Sequence, residues 1–179
     1  MTFPIFLPLL AMSYGISGSL IGLILCTPAL TSLVAVPLLD RYVIQMGIEL
    51  VICMAGLFFG LAFLLMGFGT FFDTDNSSGF MWLAIAISVI IGFCNASSIV
   101  GEQALLLRYS IKSEREKNLG MFRAASGLGG LLSPLMGSAM FAWGSYTAVF
   151  MYVGVGYLLI APLIYRQLYR ARDAFNAQI

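Results

Sequence analysis

Charged side chains are scarce in this chain of 179 residues. Only 9 Lys and Arg and 8 Asp and Glu are present, whereas 60% of the residues are hydrophobic. A soluble domain carries roughly 25% charged residues, and a helix needs roughly 20 apolar residues to cross a bilayer. Four longer runs have no charge at all: residues 1–39, 50–72, 76–101 and 124–165. The composition excludes an ordinary soluble domain and predicts an all-α, polytopic bundle of transmembrane helices in a lipid bilayer.

Histidine is absent, which excludes histidine-based catalytic triads, zinc–histidine sites and histidine proton relays. Cys26, Cys53 and Cys94 stand singly in apolar runs and form neither a disulfide framework nor a CxxC motif. An intramembrane enzyme lacks support, because there is no HExxH, no GxSxG and no pair of aspartates within a span. We therefore expect no metal, no cofactor and no enzymatic activity. Without a basic patch outside the loops, we also expect no nucleic-acid partner.

Turn residues and charges divide the apolar runs into helices. As one helix, residues 124–165 would be roughly 63 Å long, about twice a hydrocarbon core, so they must fold back near residues 142–147. We predict one transmembrane domain, residues 1–179, which comprises a partial first helix, five complete spans and a tail. Their bounds are about 2–12 for the partial helix, 19–39, 47–69, 80–107, 119–142 and 146–165 for the spans, and 166–179 for the tail.

Basic residues fall on one side of this arrangement. The loops at residues 13–19, 70–79 and 142–147 contain no Lys or Arg. Since Lys and Arg in short loops stay in the cytoplasm, the C-terminal tail is predicted to be cytoplasmic, while the identity of the membrane stays open. The basic residues on that side are Arg41 in the first loop, Arg108, Lys112, Arg115 and Lys117 in the next, Arg123 at a helix start, and Arg166, Arg170 and Arg172 in the tail.

Small residues form a pattern in the helix after the second basic loop, GMFRAASGLGGLLSPLMGS. They are Gly120, Gly129, Ser133, Pro134, Gly137 and Ser138. Residues 125, 129, 133 and 137 recur every four positions, which predicts a stripe for close helix packing. The full spacing resembles the fifth-helix motif of the major facilitator superfamily, G-x8-G-x3-G-P-x2-G-G, with serine replacing two glycines. The resemblance implies a transporter and, within the family, an antiporter.

Three further segments resemble the same family. PLLDRYVIQMGIEL is similar to its loop motif G-x-x-x-D-R-x-G-R-R, either with Asp40 and Arg41 as the acidic–basic pair or with Gly47 as the second glycine. The fourth-helix pattern R-x-x-x-G matches Ser88 to Gly92 without its arginine, which the family links to proton coupling. The opening segment is similar to vesicular amine transporter-like members. The resemblance runs from late in helix one through helix six, and it implies a missing C-terminal half of six helices.

Polar residues within the spans are the candidates for contact with a small-molecule substrate or with protons. They are Asn95, Ser97, Ser98, Glu102, Gln103, Arg123 and Ser126. For each of them, a hydrogen bond that only supports helix packing is the alternative interpretation. Glu102 and Arg123 lie about 9 Å inside the same boundary on consecutive helices, so the sequence predicts an ion pair between them, either static or changing during transport.

The sequence therefore predicts the N-terminal part of a secondary transporter that works by alternating access. The alternative is a non-transporting structural membrane subunit derived from half of a transporter.

Overall fold

The computed structural model describes residues 3–72, 77–110 and 114–176, and in these ranges the chain is helical with no strand. Five of the described helices are long and apolar enough to cross a membrane. The predicted all-α transmembrane bundle, with five spans and a short first helix, is confirmed. The helices are α1 (Phe3–Ser13), α2 (Gly18–Met46), α3 (Ile48–Phe72), α4 (Ser77–Tyr109), α5 (Arg115–Trp143) and α6 (Tyr146–Asn176).

Helix α2 continues beyond the residues expected to cross the membrane. Asp40 and Arg41, which the sequence placed in a loop, lie inside α2, and only Gly47 separates α2 from α3. The loop prediction was wrong because a helix need not end where the bilayer ends, and charged side chains reach water while the backbone ladder continues. The chain turns at Gly47 with a φ of +89°, a conformation that glycine adopts without steric cost.

Four helices form a packed row in the order α2, α4, α3, α6. Two cores hold this row together. The larger core includes Leu7 of α1, Met66 of α3 and Phe150 of α6, all of them buried. The smaller core joins α2, α3 and α4 through residues such as Leu39, and it lies toward the end of the bundle where α2 meets α3.

Glycines let the α3–α6 pair approach closely. A Cβ atom on Gly60 would lie 2.9 Å from the carbonyl oxygen of Gly154, and a Cβ atom on Gly154 would lie 2.9 Å from that of Gly60. Gly56 similarly faces Ala161, and Gly67 faces Met151. The backbones therefore meet where side chains are missing, as is usual between membrane helices.

Helix α5 is the least packed of the long helices. Half of the most apolar stretch of α4 is buried inside the bundle, against 6% of that of α5. A Cβ atom on Gly129 would meet no atom of another helix within 4 Å in the part of the chain that the structure describes. At Gly129, the stripe predicted for close packing is therefore open.

Candidate functional site

Three polar residues of α4, Asn95, Ser98 and Glu102, lie on one face of the helix. Their spacings of three and four residues return the chain to the same side. Asn95 is exposed, and Ser98 and Glu102 are partly exposed. We call these three residues the polar stripe. Beside these three residues, α2 and α3 contact other sides of α4, so the polar stripe is left facing outward from the packed row.

The two contacts that fix this orientation are made by glycines. Gly92 faces α2, since a Cβ atom there would lie 2.6 Å from the carbonyl oxygen of Pro28. Gly101 faces α3, where Ile52 Cγ1 would lie 2.6 Å from such an atom. The opposite side of α4 also carries exposed residues, but they are apolar: Trp82, Val89 and Phe93.

Asn95 lies close to the middle of its span. The apolar stretch of α4 runs from Ser78 to Arg108, and Asn95 is two residues beyond its midpoint, about 3 Å along the axis. Glu102 lies further toward the end of the helix, about 9 Å before Arg108. The polar stripe therefore extends from the centre of the span toward one end.

The structure separates the remaining α4 candidates from the polar stripe. Ser97 is buried, and its hydroxyl donates to the carbonyl oxygen of Phe93 at 2.9 Å. This contact fits the alternative of a packing hydrogen bond within the helix. Gln103 is exposed on a neighbouring side of the helix.

On α5, Arg123 and Ser126 are both exposed and three residues apart, so they share a face. Within the described ranges, no hydrogen bond or salt bridge joins Glu102 to Arg123. The direct ion pair predicted from their equal depth is not formed in this structure. The few contacts between α4 and α5 are consistent with the separation.

Three of the motif residues of α5, Gly129, Ser133 and Gly137, line an open groove of about 300 Å³ beside α6. Of the other motif residues, Gly120 is exposed and Pro134 is half-buried, while the Ser138 hydroxyl donates to the carbonyl oxygen of Leu135 at 2.9 Å. The groove is mostly apolar, and its two glycines leave space because they have no side chain. Its lining residues are Gly129, Leu132, Ser133, Met136, Gly137, Met140 and Val153.

Two side chains at the start of α5 contact the end of α4, and sequence reasoning missed both. Arg115 donates to the carbonyl oxygen of Leu107 at 2.9 Å, which satisfies a carbonyl in the last turn of α4. Asn118 donates to the Ser110 hydroxyl at 2.9 Å. A basic residue shortly after a helix end is the signal that could have predicted the first contact. Lys112, in the same connection, lies outside the described residues.

Two buried polar residues lie outside the set of candidates for contact with substrate or protons. Glu49, in the first turn of α3, is 3% exposed; an acidic residue at this position is favoured by the helix dipole. Ser88, which stands where the family pattern has arginine, is fully buried, and its hydroxyl has no hydrogen-bond partner in the described part of the chain. Position 88 therefore offers no exposed polar group.

A family model described as Major Facilitator Superfamily matches residues 1–178. No curated protein and no solved structure matches the chain. Proteins of this family are transporters rather than enzymes, and they carry solutes across the lipid bilayer in which they sit. Because the match covers nearly every residue and the helices are long and apolar, this integral multi-pass membrane protein belongs to the Major Facilitator Superfamily.

Proposed function

We propose that the chain forms the N-terminal helical bundle of a secondary active transporter for a small solute. The transporter alternates access between two halves around a site near the middle of the bilayer, and a second bundle of six helices completes it. The order of the resembling segments along the chain supports this assignment, with the loop motif at α2–α3 and the fifth-helix motif in α5.

The observation that carries the proposal is the outward-facing polar stripe. A carboxyl group and an amide on the surface of a membrane-spanning helix are costly in contact with lipid, roughly several kcal/mol for the charged group. Such groups therefore line a water-filled path or face another protein surface. With Asn95 near the middle of the span, the polar stripe provides hydrogen-bonding groups for the solute, and Glu102 provides a carboxylate for a coupling proton.

Antiport against protons is the coupling mode that we propose. It rests on the similarity of α5 to the fifth-helix motif, and on Glu102 as the ionisable group of the polar stripe. The C-terminal end of α6 is placed in the cytoplasm in this proposal. The distribution of basic residues supports that orientation, because every described Lys and Arg lies at or near the end of the bundle where α2 meets α3, α4 meets α5, and α6 ends.

Cysteine accessibility tests whether the polar stripe faces water. In a chain whose three cysteines are replaced by alanine, single cysteines would be placed at Asn95, Ser98 and Glu102 and treated with a charged, membrane-impermeant thiol reagent. All three should react. The matched control is Phe93→Cys, which lies two residues from Asn95 but on the apolar side, and should not react. Equal reaction of Phe93→Cys, or protection of all three stripe positions, would contradict the proposal.

A structural membrane subunit is the second candidate function. It is favoured by Ser88, because the family's arginine is replaced by a fully buried residue. Purification from native membranes distinguishes the two functions. A stable assembly with unrelated proteins supports the subunit, whereas assembly with a second six-helix bundle supports the transporter. Saturable solute uptake by vesicles that contain this chain alone would contradict both candidates.

A further inference from the structure

One side of α6 points away from the helix bundle from Tyr152 to Arg170. Four large side chains on this side are between 46% and 66% exposed. Arg166 and Arg170 follow further along the helix and are also exposed. The four large side chains and the two arginines lie on the same side because successive members are three or four positions apart. We call these six residues the outer face of α6: Tyr152, Val155, Leu159, Leu163, Arg166 and Arg170.

The contacts of α6 with α3 confirm that the outer face is not covered by the bundle. Gly154 and Leu158 contact Gly60, and Ala161 faces Gly56. These three residues lie on a different side of α6 from the outer face. No other described helix packs extensively on α6.

The apolar part of the outer face has the length of one lipid leaflet. Tyr152 and Leu163 are eleven residues apart, which is roughly 16 Å along a helix and about half of a hydrocarbon core of roughly 30 Å. Arg166 follows Leu163 by three residues, which is less than one helical turn. The two guanidinium groups therefore follow where the acyl chains of a leaflet end and its headgroups begin.

Arg166 and Arg170 form no hydrogen bond or ion pair with any described residue. Arg172 differs from them: its guanidinium lies 4.3 Å from the centre of the Tyr169 ring, and its Nε lies 3.7 Å from Asp173 Oδ1. The two arginines of the outer face are thus adjacent, one helical turn apart, and available for an anion. A guanidinium matches the oxygens of a phosphate with two parallel hydrogen bonds.

From this arrangement we infer that the outer face of α6 binds an anionic glycerophospholipid. Its phosphate and acidic headgroup contact Arg166 and Arg170. Its acyl chains lie along the four apolar positions of the outer face, from Leu163 back to Tyr152. Charge complementarity selects an anionic lipid, because a zwitterionic headgroup presents its own cation to the same two guanidinium groups.

Native mass spectrometry of the detergent-purified chain tests this inference. Phosphatidylserine and phosphatidylcholine with identical acyl chains would be titrated separately. One phosphatidylserine should bind per chain, at lower concentration than phosphatidylcholine. The double variant Arg166→Gln, Arg170→Gln should weaken phosphatidylserine binding about thirtyfold, since each cation near an anionic headgroup contributes roughly fivefold.

The matched control is the double variant Lys117→Gln, Arg172→Gln, which removes two cations from the same end of the bundle but outside the outer face. It should change phosphatidylserine binding by less than about twofold. Glycerophosphoserine, which lacks acyl chains, should not bind in this concentration range. If the glutamine variant loses helical content by circular dichroism, Arg166→Lys with Arg170→Lys replaces it, and a severalfold loss is then expected.

Three results would overturn the inference. The first is unchanged phosphatidylserine affinity in a folded double variant. The second is an equal loss in the control, which would indicate a diffuse effect of charge. The third is a lipid-free dimer that Leu159→Arg separates into single chains, because a second copy would then cover the outer face.

Discussion

Ser32 donates its hydroxyl to the carbonyl oxygen of Gly92 at 2.7 Å, which joins α2 to α4 across 60 positions of the chain. The same glycine meets Pro28, whose carbonyl oxygen and Cα would lie 2.6 Å and 2.9 Å from a Cβ atom on Gly92. Proline lacks an amide hydrogen and interrupts the hydrogen bonds of α2. Helix α4 is therefore held against the segment of α2 around Pro28 by a missing side chain and one interhelical hydrogen bond.

Replacing Gly92 by alanine should destabilise the bundle. The new methyl group would press on backbone atoms of α2 that cannot rotate away, and overpacking of this kind costs about 1–3 kcal/mol. The measurement is the free energy of unfolding in mixed micelles, followed by circular dichroism. Gly22→Ala, in α2, is the control, because its Cβ atom would meet nothing within 4 Å among the described residues. Equal stability of the two variants would show that α2 and α4 do not approach this closely.

Two serines should respond in opposite ways to replacement by alanine. Ser32→Ala loses the interhelical hydrogen bond, which in membrane proteins contributes about 0.5–1 kcal/mol. Ser88→Ala removes a buried hydroxyl that has no partner in the described part of the chain, so stability should be unchanged or higher. Unfolding free energies of the two variants provide the check. A loss of more than about 1 kcal/mol at Ser88 would mean that its hydroxyl is bonded after all.

The apolar runs were sufficient to predict the fold class, because a bilayer leaves few choices to a long uncharged segment. Which helices pack together could not be predicted. Gly60 and Gly154 are far apart in the chain, and each is one of 19 glycines, so nothing in the sequence pairs them. In α5, by contrast, the regular spacing around Gly129 predicts a contact that the described helices do not make at this position.

The candidate site was predictable in part for a similar reason. Polar residues within apolar spans are easily recognised, and Asn95, Ser98 and Glu102 also share a spacing that puts them on one face. The sequence could not separate them from Ser97, because the direction in which α4 turns its buried side depends on the glycines that contact α2 and α3. Nor could equal depth along two helices predict whether Glu102 and Arg123 meet, since depth does not determine the facing side.

Gly60 and Gly154 should show strong coupling in a double-mutant cycle. Each single replacement by alanine inserts a methyl group at the same α3–α6 contact and should cost about 1–3 kcal/mol of unfolding free energy. Once one methyl has separated the backbones, the second costs less, so the double variant should be destabilised by less than the sum. Gly156→Ala is the control on α6, since its Cβ atom would meet no described residue within 4 Å. Additive losses would argue against a shared contact.

Gly129→Leu should not destabilise the chain when it is purified without the proposed second bundle. The position is open in the described structure, and leucine is a better helix former than glycine by roughly 0.5–1 kcal/mol. The apparent melting temperature in detergent should therefore stay constant or rise. Assembly with the proposed second bundle is a separate measurement, in which a decrease confined to Gly129→Leu would indicate that the stripe of α5 contacts that bundle. A lower melting temperature of the chain alone would restore the packing role expected from the motif.

Glu102 should be dispensable for folding but required for coupling. Because no described residue forms a hydrogen bond or salt bridge with its carboxylate, Glu102→Gln should change the unfolding free energy by less than about 0.5 kcal/mol, as expected for a site without a strong partner. Arg123→Gln should behave alike, and the charge swap Glu102→Arg with Arg123→Glu should give no rescue. A coupling energy of about 1 kcal/mol or more in this cycle would mean that the pair forms in another conformation.

In vesicles that hold the complete transporter, Glu102→Gln should abolish proton-driven accumulation of the solute while downhill exchange continues, because the amide keeps the shape of the side chain but cannot release a proton. Glu102→Asp, which keeps the carboxyl group, should retain part of the accumulation. Full accumulation by the glutamine variant would exclude Glu102 as the coupling site and leave the polar stripe with a role in solute binding alone.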